Sequence, residues 1–330
     1  MSTTDLGARD SAFAASAAAA TKPAAPEKPE WHNLRAPDAR TTLTAAVTVP
    51  AGRRELRAFL HNPNALFGLV FLSIMIVVAV LAPILFPGDP LGMVAKPFLW
   101  PGQDAAYPLG SDSMGRDVLA GIFHGSRISL FVGLAATALG LTVGVLVGAT
   151  AGYFGGWVDD VLMRVVEIFQ TLPNFVLLVV LVAILQPSAL TVTVAIAIVS
   201  WPMVARLTRA EFRAIREKDY VMAARSLGFR DARIIFKEVL PNALPPLIVT
   251  SSVMVASAIL MESALSFMGL GDPNVVSWGS MIGSGRELIR TAWYLTLLPG
   301  LAIVFTVLAL NLIGDGLNDA LNPRFSEERA

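Results

Sequence analysis

Few residues of this sequence could do chemistry, and their spacing excludes the common catalytic sites. The chain has no cysteine, so it has no thiol nucleophile, thiolate metal site or disulfide. Its histidines, His32, His61 and His124, are far apart, and no two have the i, i+4 spacing that binds a metal on one helix face. There is no GxxxxGK[ST] loop for nucleotide phosphates, since the nearest glycine cluster, GSGRELIR from Gly283, has no lysine. Nothing pairs a nucleophile with a base, so we expect no enzyme site and no bound cofactor or metal.

Glu262 is the first candidate functional residue, because its carboxylate follows a long apolar run. An ionised side chain costs about 3 kcal/mol at the centre of a bilayer on insertion scales, and less near the surface. We expect Glu262 at the outer end of a membrane helix. There it is either a contact to a solute amine or a gate on a translocation path, or else a hydrogen-bonded carboxylate that packs against the adjoining outer loop.

The second candidate is a basic, helix-forming segment between two apolar runs, DYVMAARSLGFRDARIIFKEVLP at residues 219–241. Asp219 can cap a short helix, and Gly228 stands where a left-handed C-terminal residue is needed. Asp231 can cap a second helix, which Pro241 is expected to end. Two short helices that are too small to bury themselves are typical of a docking element. The alternative is an interfacial loop whose arginines face lipid phosphates.

The composition places these residues in a membrane protein. Of the 330 residues, 55% are hydrophobic and only 15% are charged, with a mean hydropathy of +0.63. The formal net charge is zero, so no basic excess points to nucleic acid as a partner. The apolar runs lack the alternation of polar and apolar residues that barrel strands show. In lipid, backbone N–H and C=O groups have no water to bond, so these runs must bond within a helix. We therefore expect an all-α, polytopic membrane protein.

Six apolar segments are long enough to cross a bilayer core of about 30 Å, because each helical residue adds about 1.5 Å. One charge-free run is too long for a single crossing, and Gln186, Pro187 and Ser188 divide it. The predicted spans are residues 65–86, 128–154, 168–186, 189–207, 242–264 and 292–314.

The second span carries glycines at a spacing of four, which puts them on one helix face and predicts close packing against another helix. These are Gly140, Gly144, Gly148 and Gly152.

The distribution of Lys and Arg predicts how the chain is oriented. Residues 1–60 are rich in Ala, Pro, Ser, Thr and charge, and we interpret them as a mostly disordered tail that is not cleaved as a signal peptide. Residues 61–325 then form the membrane domain. With the N-terminus in the cytoplasm, 20 of the 25 Lys and Arg residues lie on the cytoplasmic side. We expect both termini, and the segment 208–241, on that side.

Residues 219–241 resemble the EAA motif of ABC importer permeases, E-A-A-x-x-x-G-x9-I-x-L-P. The positions that carry the motif are Met222, Ala223, Ala224, Gly228, Leu240 and Pro241. Met222 replaces the glutamate of the family, and Glu238 replaces the isoleucine. The resemblance implies the type I ABC importer permease fold, in which the segment 208–241 couples the membrane helices to a separate ATPase subunit.

The stretch YPLGSDSMGRDVLAGIFHGSRISL, from Tyr107, is similar to a signature of the dipeptide, oligopeptide and nickel permeases, HPLGTDxxGRDxxSRxxxGxRxSL, in the C-type subunit. The matching residues are Gly110, Asp112, Gly115, Arg116 and Asp117. The stretches MESALSFMGLGDPNVVSWGSMI and GDGLNDALNPR resemble later parts of the same subfamily. The charged residues of the loop either dock a solute-binding protein or form salt bridges that tie the loop to a partner subunit.

Together these resemblances imply a subunit of a bacterial inner-membrane importer of di- or oligopeptides. The implied partners are a second permease, two ATP-binding subunits that hold ATP and Mg, an extracytoplasmic solute-binding protein and the lipid bilayer. Nickel or another small solute is an alternative cargo. A secondary transporter driven by an ion gradient is the alternative mechanism, but it would need paired carboxylates within the spans, which contain none. A membrane scaffold would leave the basic helices unexplained.

Overall fold

The computed structural model describes Leu56 and residues 58–321. The tail expected over residues 1–60 lies outside this part except for its last few residues. Within the described part the regular structure is helical, and its β-pairing is limited to a bridge between Ser111 and Asp117. The predicted all-α class is therefore confirmed.

Residues 58–61 are helical, and ten α-helices follow one another from Pro63 to Leu321. They are α1 Pro63–Leu85, α2 Val118–Phe154, α3 Gly156–Gln170, α4 Asn174–Leu185, α5 Ala189–Arg216, α6 Asp219–Ser226, α7 Asp231–Ile234, α8 Leu240–Phe267, α9 Trp278–Gly285 and α10 Tyr294–Leu321. A π-helical turn, Ile235–Val239, joins α7 to α8, and a 3-10 turn, Arg286–Leu288, follows α9.

Five helical stretches of the described part are long and apolar enough to cross a membrane. They contain α1, α2, α5, α8 and α10. Helices α3 and α4 together are also long and apolar enough, but they meet at an angle of 80°. If this bent pair counts as one broken span, the described part has six. Large apolar side chains on the outer face of α1, such as Val70, Val77 and Ile84, are more than half exposed, as expected of a surface that contacts lipid.

The third predicted span, residues 168–186, differs from the structure. Its first residues belong to the amphipathic helix α3, and the apolar helix α4 has only 12 residues, or about 18 Å of length. Pro173 has a non-helical ψ of 126° and separates the two helices, because proline cannot donate the hydrogen bond that would continue α3. The break predicted at residues 186–188 is confirmed, with Gln186 at φ +70° between α4 and α5.

The glycine face of α2 packs along α5, as the four-residue spacing predicts. A Cβ atom on Gly144 would lie 2.5 Å from Cβ of Val204, and one on Gly152 would lie 2.7 Å from the carbonyl oxygen of Arg209. Real Cβ atoms do not approach other atoms this closely, so the two backbones are in contact only because these residues are glycine. The expected close-packing face is confirmed.

A charged pair that sequence reasoning did not identify fixes α3 against α5. Arg209 donates to both carboxylate oxygens of Asp159, and its Nη2 lies 2.6 Å from Oδ2. Asp159 is buried, and Arg213 adds a longer contact of 3.9 Å. The partners are 50 residues apart in the sequence, so the tertiary fold brings them together.

Candidate functional sites

The helix pair α6 and α7 packs one face against the ends of α2 and α5. Val221, Ala224 and Ile234 are buried, and they join Tyr153 of α2 and Phe212 of α5 in one apolar cluster. The arginines lie on the outside, where the guanidinium of Arg225 stacks 5.0 Å from the Tyr153 ring centroid. The pair is therefore held on the rest of the protein by burial and is not a free loop.

Gly228 ends α6 in the left-handed conformation that the sequence predicted. Its φ is +77°, and its N–H donates to the carbonyl of Arg225 at 2.9 Å. The next N–H, that of Phe229, donates to the carbonyl of Ala224 at 3.2 Å. This pair of hydrogen bonds is a Schellman motif, which satisfies the last carbonyls of α6 and turns the chain into α7.

The predicted caps of these helices are wrong in detail. Asp219 and Asp231 are the first residues of α6 and α7, and neither helix has a side-chain cap. Oδ1 of Asp231 instead accepts a hydrogen bond of 2.6 Å from the Tyr153 hydroxyl. Pro241 does not end a helix either. It is the second residue of α8, where the lack of an N–H costs little, and the π turn before it leads straight into α8.

Helix α6 and the turns that follow α6 and α7 carry large apolar side chains that are exposed. Met222, Leu227 and Phe236 are 50%, 73% and 64% exposed, and we call these three residues the coupling surface. Of the other motif residues, Ala223 and Pro241 are exposed, Leu240 is half-buried and Ala224 is buried. Apolar side chains on a short, anchored, basic element suit contact with another protein better than contact with water.

The glycines of the α1–α2 loop, residues 86–117, shape it by close backbone contacts. Gly110 and Gly115 have φ values of +79° and +81°, and a Cβ atom on either would overlap the carbonyl oxygen of Leu99 or of Ala95. The carbonyl of Gly115 accepts hydrogen bonds from the N–H groups of Val94 and Ala95. Only glycine fits both positions.

The loop aspartates bind backbone N–H groups. Oδ1 of Asp112 accepts from the N–H groups of Met114 and Arg116, both at 2.8 Å. Asp117 caps α2 by accepting from Leu119 N–H at 2.8 Å. Burial raises the pKa of the Asp117 carboxyl, and the backbone N–H groups of α2 offset part of that rise.

Arg116 is not paired with the aspartates of its own loop, and a salt bridge from this loop to a partner subunit stays a prediction. In the described part of the chain no ion pair within 4.0 Å joins it to either loop aspartate, and its Nε is buried without a hydrogen-bond partner. Tyr294 of α10 ties the loop down instead, with its hydroxyl 2.9 Å from the carbonyl oxygens of Leu99 and Ser111. The structure therefore brings Arg116 and the two aspartates together around one recess without pairing them.

Glu262 lies inside the helix bundle, with only 3% of its surface exposed. Its carboxylate accepts hydrogen bonds from Ser266 at 2.7 Å and from Ser129 of α2 at 3.2 Å. Ser129 in turn accepts from the N–H of Trp278 at the start of α9. This geometry matches the hydrogen-bonded alternative, and it links α8, α2 and α9 through one carboxylate.

Asp272, in the loop after α8, was not identified from the sequence. Its Oδ2 accepts a hydrogen bond of 3.0 Å from the N–H of Ala189, the first residue of α5. Although partial burial raises the pKa of Asp272, the N–H donors of Asn274 and Ala189 outweigh it and leave the pKa below its usual value. The two residues are 83 positions apart in the sequence, so no local sequence pattern indicates this contact. It forms only in the folded protein.

Comparison with known proteins assigns most of the chain. Residues 140–327 match the family model described as binding-protein-dependent transport system inner membrane component, and residues 52–105 match the N-terminal TM domain of oligopeptide transport permease C. The first match alone covers more than half of the chain.

Several relatives are similar over nearly their whole length. A di/tripeptide transport system permease protein DppC of Pseudomonas aeruginosa is 40% identical over 300 residues, which are 89% of this chain and 97% of the relative. The dipeptide transport system permease protein DppC of Haemophilus influenzae is 39% identical over 275 residues, or 82% of this chain and 93% of the relative.

A solved structure supports the fold. One chain of the MetNI methionine ABC transporter, in an inward-facing conformation, aligns with a TM-score of 0.51 and 18% identity over 61% of this chain and 96% of that chain. At this identity the likeness concerns the fold alone. Together with the sequence matches, it shows that the chain belongs to the family of binding-protein-dependent transport system inner membrane components.

Proposed function

We propose that this chain is one of two permease subunits of an ATP-driven importer of di- or oligopeptides. The relatives that cover most of the chain are peptide permeases, which supports peptides as the cargo. The second subunit is a related permease, and two ATPase subunits and a solute-binding protein complete the importer. The chain itself binds no nucleotide, because its sequence has no phosphate-binding loop.

The observation that carries the proposal is the connection of the coupling surface to two spanning helices. Arg216 ends α5 two residues before α6 begins, and α7 runs through the π turn into α8 as one helical stretch from Asp231 to Phe267. A helix transmits displacement because its internal hydrogen bonds resist local deformation. A partner that pushes on Met222, Leu227 and Phe236 would therefore move α5 and α8 together.

The mechanism follows from this connection. Closure of the two ATPases on ATP would bring the coupling surfaces of the paired permeases together, and the spanning helices would rotate from an inward-facing to an outward-facing arrangement. Hydrolysis would reverse the motion and release the peptide to the cytoplasm. The substrate path lies between the two permeases, so this chain lines only half of it.

The charge distribution supports the orientation that the mechanism needs. The Lys and Arg residues concentrate around the ends of α2, α3 and α5 and on α6 and α7, which we place in the cytoplasm. The α1–α2 loop and α9 then lie outside, where a solute-binding protein delivers the peptide. Both chain termini are cytoplasmic in this arrangement, which sits in the bacterial inner membrane.

Uptake by the reconstituted complex tests the proposal. The chain, its partner permease and both ATPases are inserted in liposomes, the binding protein is added outside, and entry of a radiolabelled dipeptide is measured. We expect uptake that needs ATP inside and persists when a protonophore abolishes the ion gradient. Uptake without ATP that stops with the protonophore would instead identify an ion-coupled transporter. Competition by nickel or by another small solute, but not by unlabelled peptides, would overturn the peptide cargo.

A further inference from the structure

The α1–α2 loop and α9 enclose a recess with an unusual set of charges. Its polar groups are the guanidinium of Arg116, the carboxylates of Asp112 and Asp117, and the hydroxyls of Ser280 and Ser284. Its wall is apolar and is formed by Val118, Val276, Met281 and Leu295. The coupling mechanism uses none of these groups.

The guanidinium in this recess has no partner among the described residues. The Arg116 side chain makes no hydrogen bond or ion pair with the described residues, and its Nε is fully buried with its donor unsatisfied. A buried donor without an acceptor costs free energy, so such groups in native proteins usually meet a water or a ligand. A planar guanidinium is suited to bind a carboxylate with two parallel hydrogen bonds.

The two aspartates restrict which carboxylate can enter. One oxygen of each, Oδ1, accepts hydrogen bonds from backbone N–H groups, and both residues line the recess. Two carboxylates and one guanidinium give the recess a net negative charge, which repels a simple anion. A molecule with both a carboxylate and an ammonium group can pair its carboxylate with the guanidinium and its ammonium group with the aspartates. The apolar wall accommodates the short side chain of such a molecule.

We infer that the Arg116 recess is a binding site for a small zwitterion, with the carboxylate of the ligand on Arg116 and its ammonium group on the carboxylates of Asp112 and Asp117. A short peptide with free termini has this chemistry, and its identification as the transported cargo rests on the proposed function. The recess would then hold a peptide at the outer surface after it leaves the binding protein.

The test measures binding of L-alanyl-L-alanine to the complete permease–ATPase complex in nanodiscs, without the binding protein, by isothermal titration calorimetry. We expect the wild-type complex to bind the dipeptide and Arg116→Gln to weaken binding at least tenfold. Arg127→Gln removes a charge from an exposed position in α2 at the same end of the molecule and should change binding less than twofold. Equal binding by the Arg116→Gln complex would overturn the inference.

Modified dipeptides keep the test independent of how well the variant folds. On the wild-type complex, N-acetyl-alanyl-alanine and alanyl-alanine amide should each bind at least fivefold more weakly than the free dipeptide. Full binding of either analogue would overturn the zwitterion site. If the dipeptide does not bind, but Arg116→Gln weakens attachment of the binding protein, the recess is a docking site for an acidic side chain and the inference is wrong. ATP-dependent uptake by the wild-type complex is measured separately, so the proposed function is tested independently of this binding result.

Discussion

At the scale of single residues, the motifs that resemble family signatures mostly build backbone structure. Gly110 and Gly115 hold tight turns, Asp112 and Asp117 accept backbone N–H groups, and Gly228 ends a helix at positive φ. A signature residue that shapes the backbone affects function indirectly, because the backbone conformation sets the positions of the neighbouring side chains. The effect of changing one of these residues should therefore depend on the strain that the new side chain introduces.

Gly228→Val should uncouple ATP hydrolysis from peptide uptake. A branched side chain at φ +77° costs about 1 to 2 kcal/mol, and no other atom lies within 4 Å of its Cβ, so the penalty is conformational. We expect normal membrane insertion, continued ATPase activity of the complex and at least a fivefold loss of uptake. Ala232→Val adds the same side chain at an exposed helical position and should retain uptake. Normal uptake by the Gly228 variant would count against the coupling role.

Asp159→Asn should destabilise the protein more than any change to an exposed ion pair. The substitution leaves Arg209, whose side chain is only 30% exposed, without its charged partner, at a cost of about 3 kcal/mol. The expected result is a thermal midpoint lower by about 6 °C or more in detergent.

The matched control for this prediction is Glu167→Gln. Its partner Arg164 and Glu167 itself are mostly exposed, with side-chain values of 81% and 60%, so the pair should contribute little. Similar midpoints for the two variants would show that the pair between α3 and α5 does not stabilise the fold.

At the scale of secondary-structure elements, packing of α2 on α5 is the contact with the least tolerance for change. Glycines remove side chains along the whole shared face, so dispersion contacts form between backbones. The same geometry holds the start of α6 in place, because α5 ends just before it. The position of the coupling surface therefore depends on the packing of the glycine face of α2 against α5.

Gly148→Val should prevent correct folding, whereas a glycine elsewhere should tolerate substitution. A Cβ on Gly148 would overlap the carbonyl oxygen of Ala205 and lie 2.7 Å from Cβ of Thr208, and both groups are buried between helices. We expect little folded protein after size-exclusion chromatography in detergent. Gly300→Ala is the control, because nothing lies within 4 Å of its Cβ on α10. A monodisperse Gly148→Val protein would contradict the packing argument.

At the scale of the whole molecule, the helix bundle separates two polar ends that differ in charge and in exposed side chains. One end carries the coupling surface and the basic residues, and the other carries the α1–α2 loop, α9 and the Arg116 recess. Glu262 lies in α8, the helix that continues from the coupling surface towards this second end. A motion that starts at one end of α8 can therefore change contacts at the other.

Single cysteines should locate the two ends on opposite sides of the membrane. The chain has no cysteine of its own, so a thiol introduced at Ser113 or Ser226, both exposed, is the reactive group of the chain. With a membrane-impermeant maleimide on spheroplasts, we expect Ser113→Cys to be labelled at once and Ser226→Cys only after lysis. The reverse pattern would place the coupling surface outside and end the proposed mechanism.

The sequence by itself determined the class of the protein, its apolar helices, the glycine face of α2 and the left-handed turn at Gly228. Each of these depends on residues that are close in sequence, because hydropathy, helical spacing and backbone preference act over one or a few turns. The tertiary structure alone decided the remaining contacts. It paired Asp159 with Arg209, joined Asp272 to α5, buried Glu262 among serines and left Arg116 unpaired in a recess, because these groups meet only when distant helices pack together.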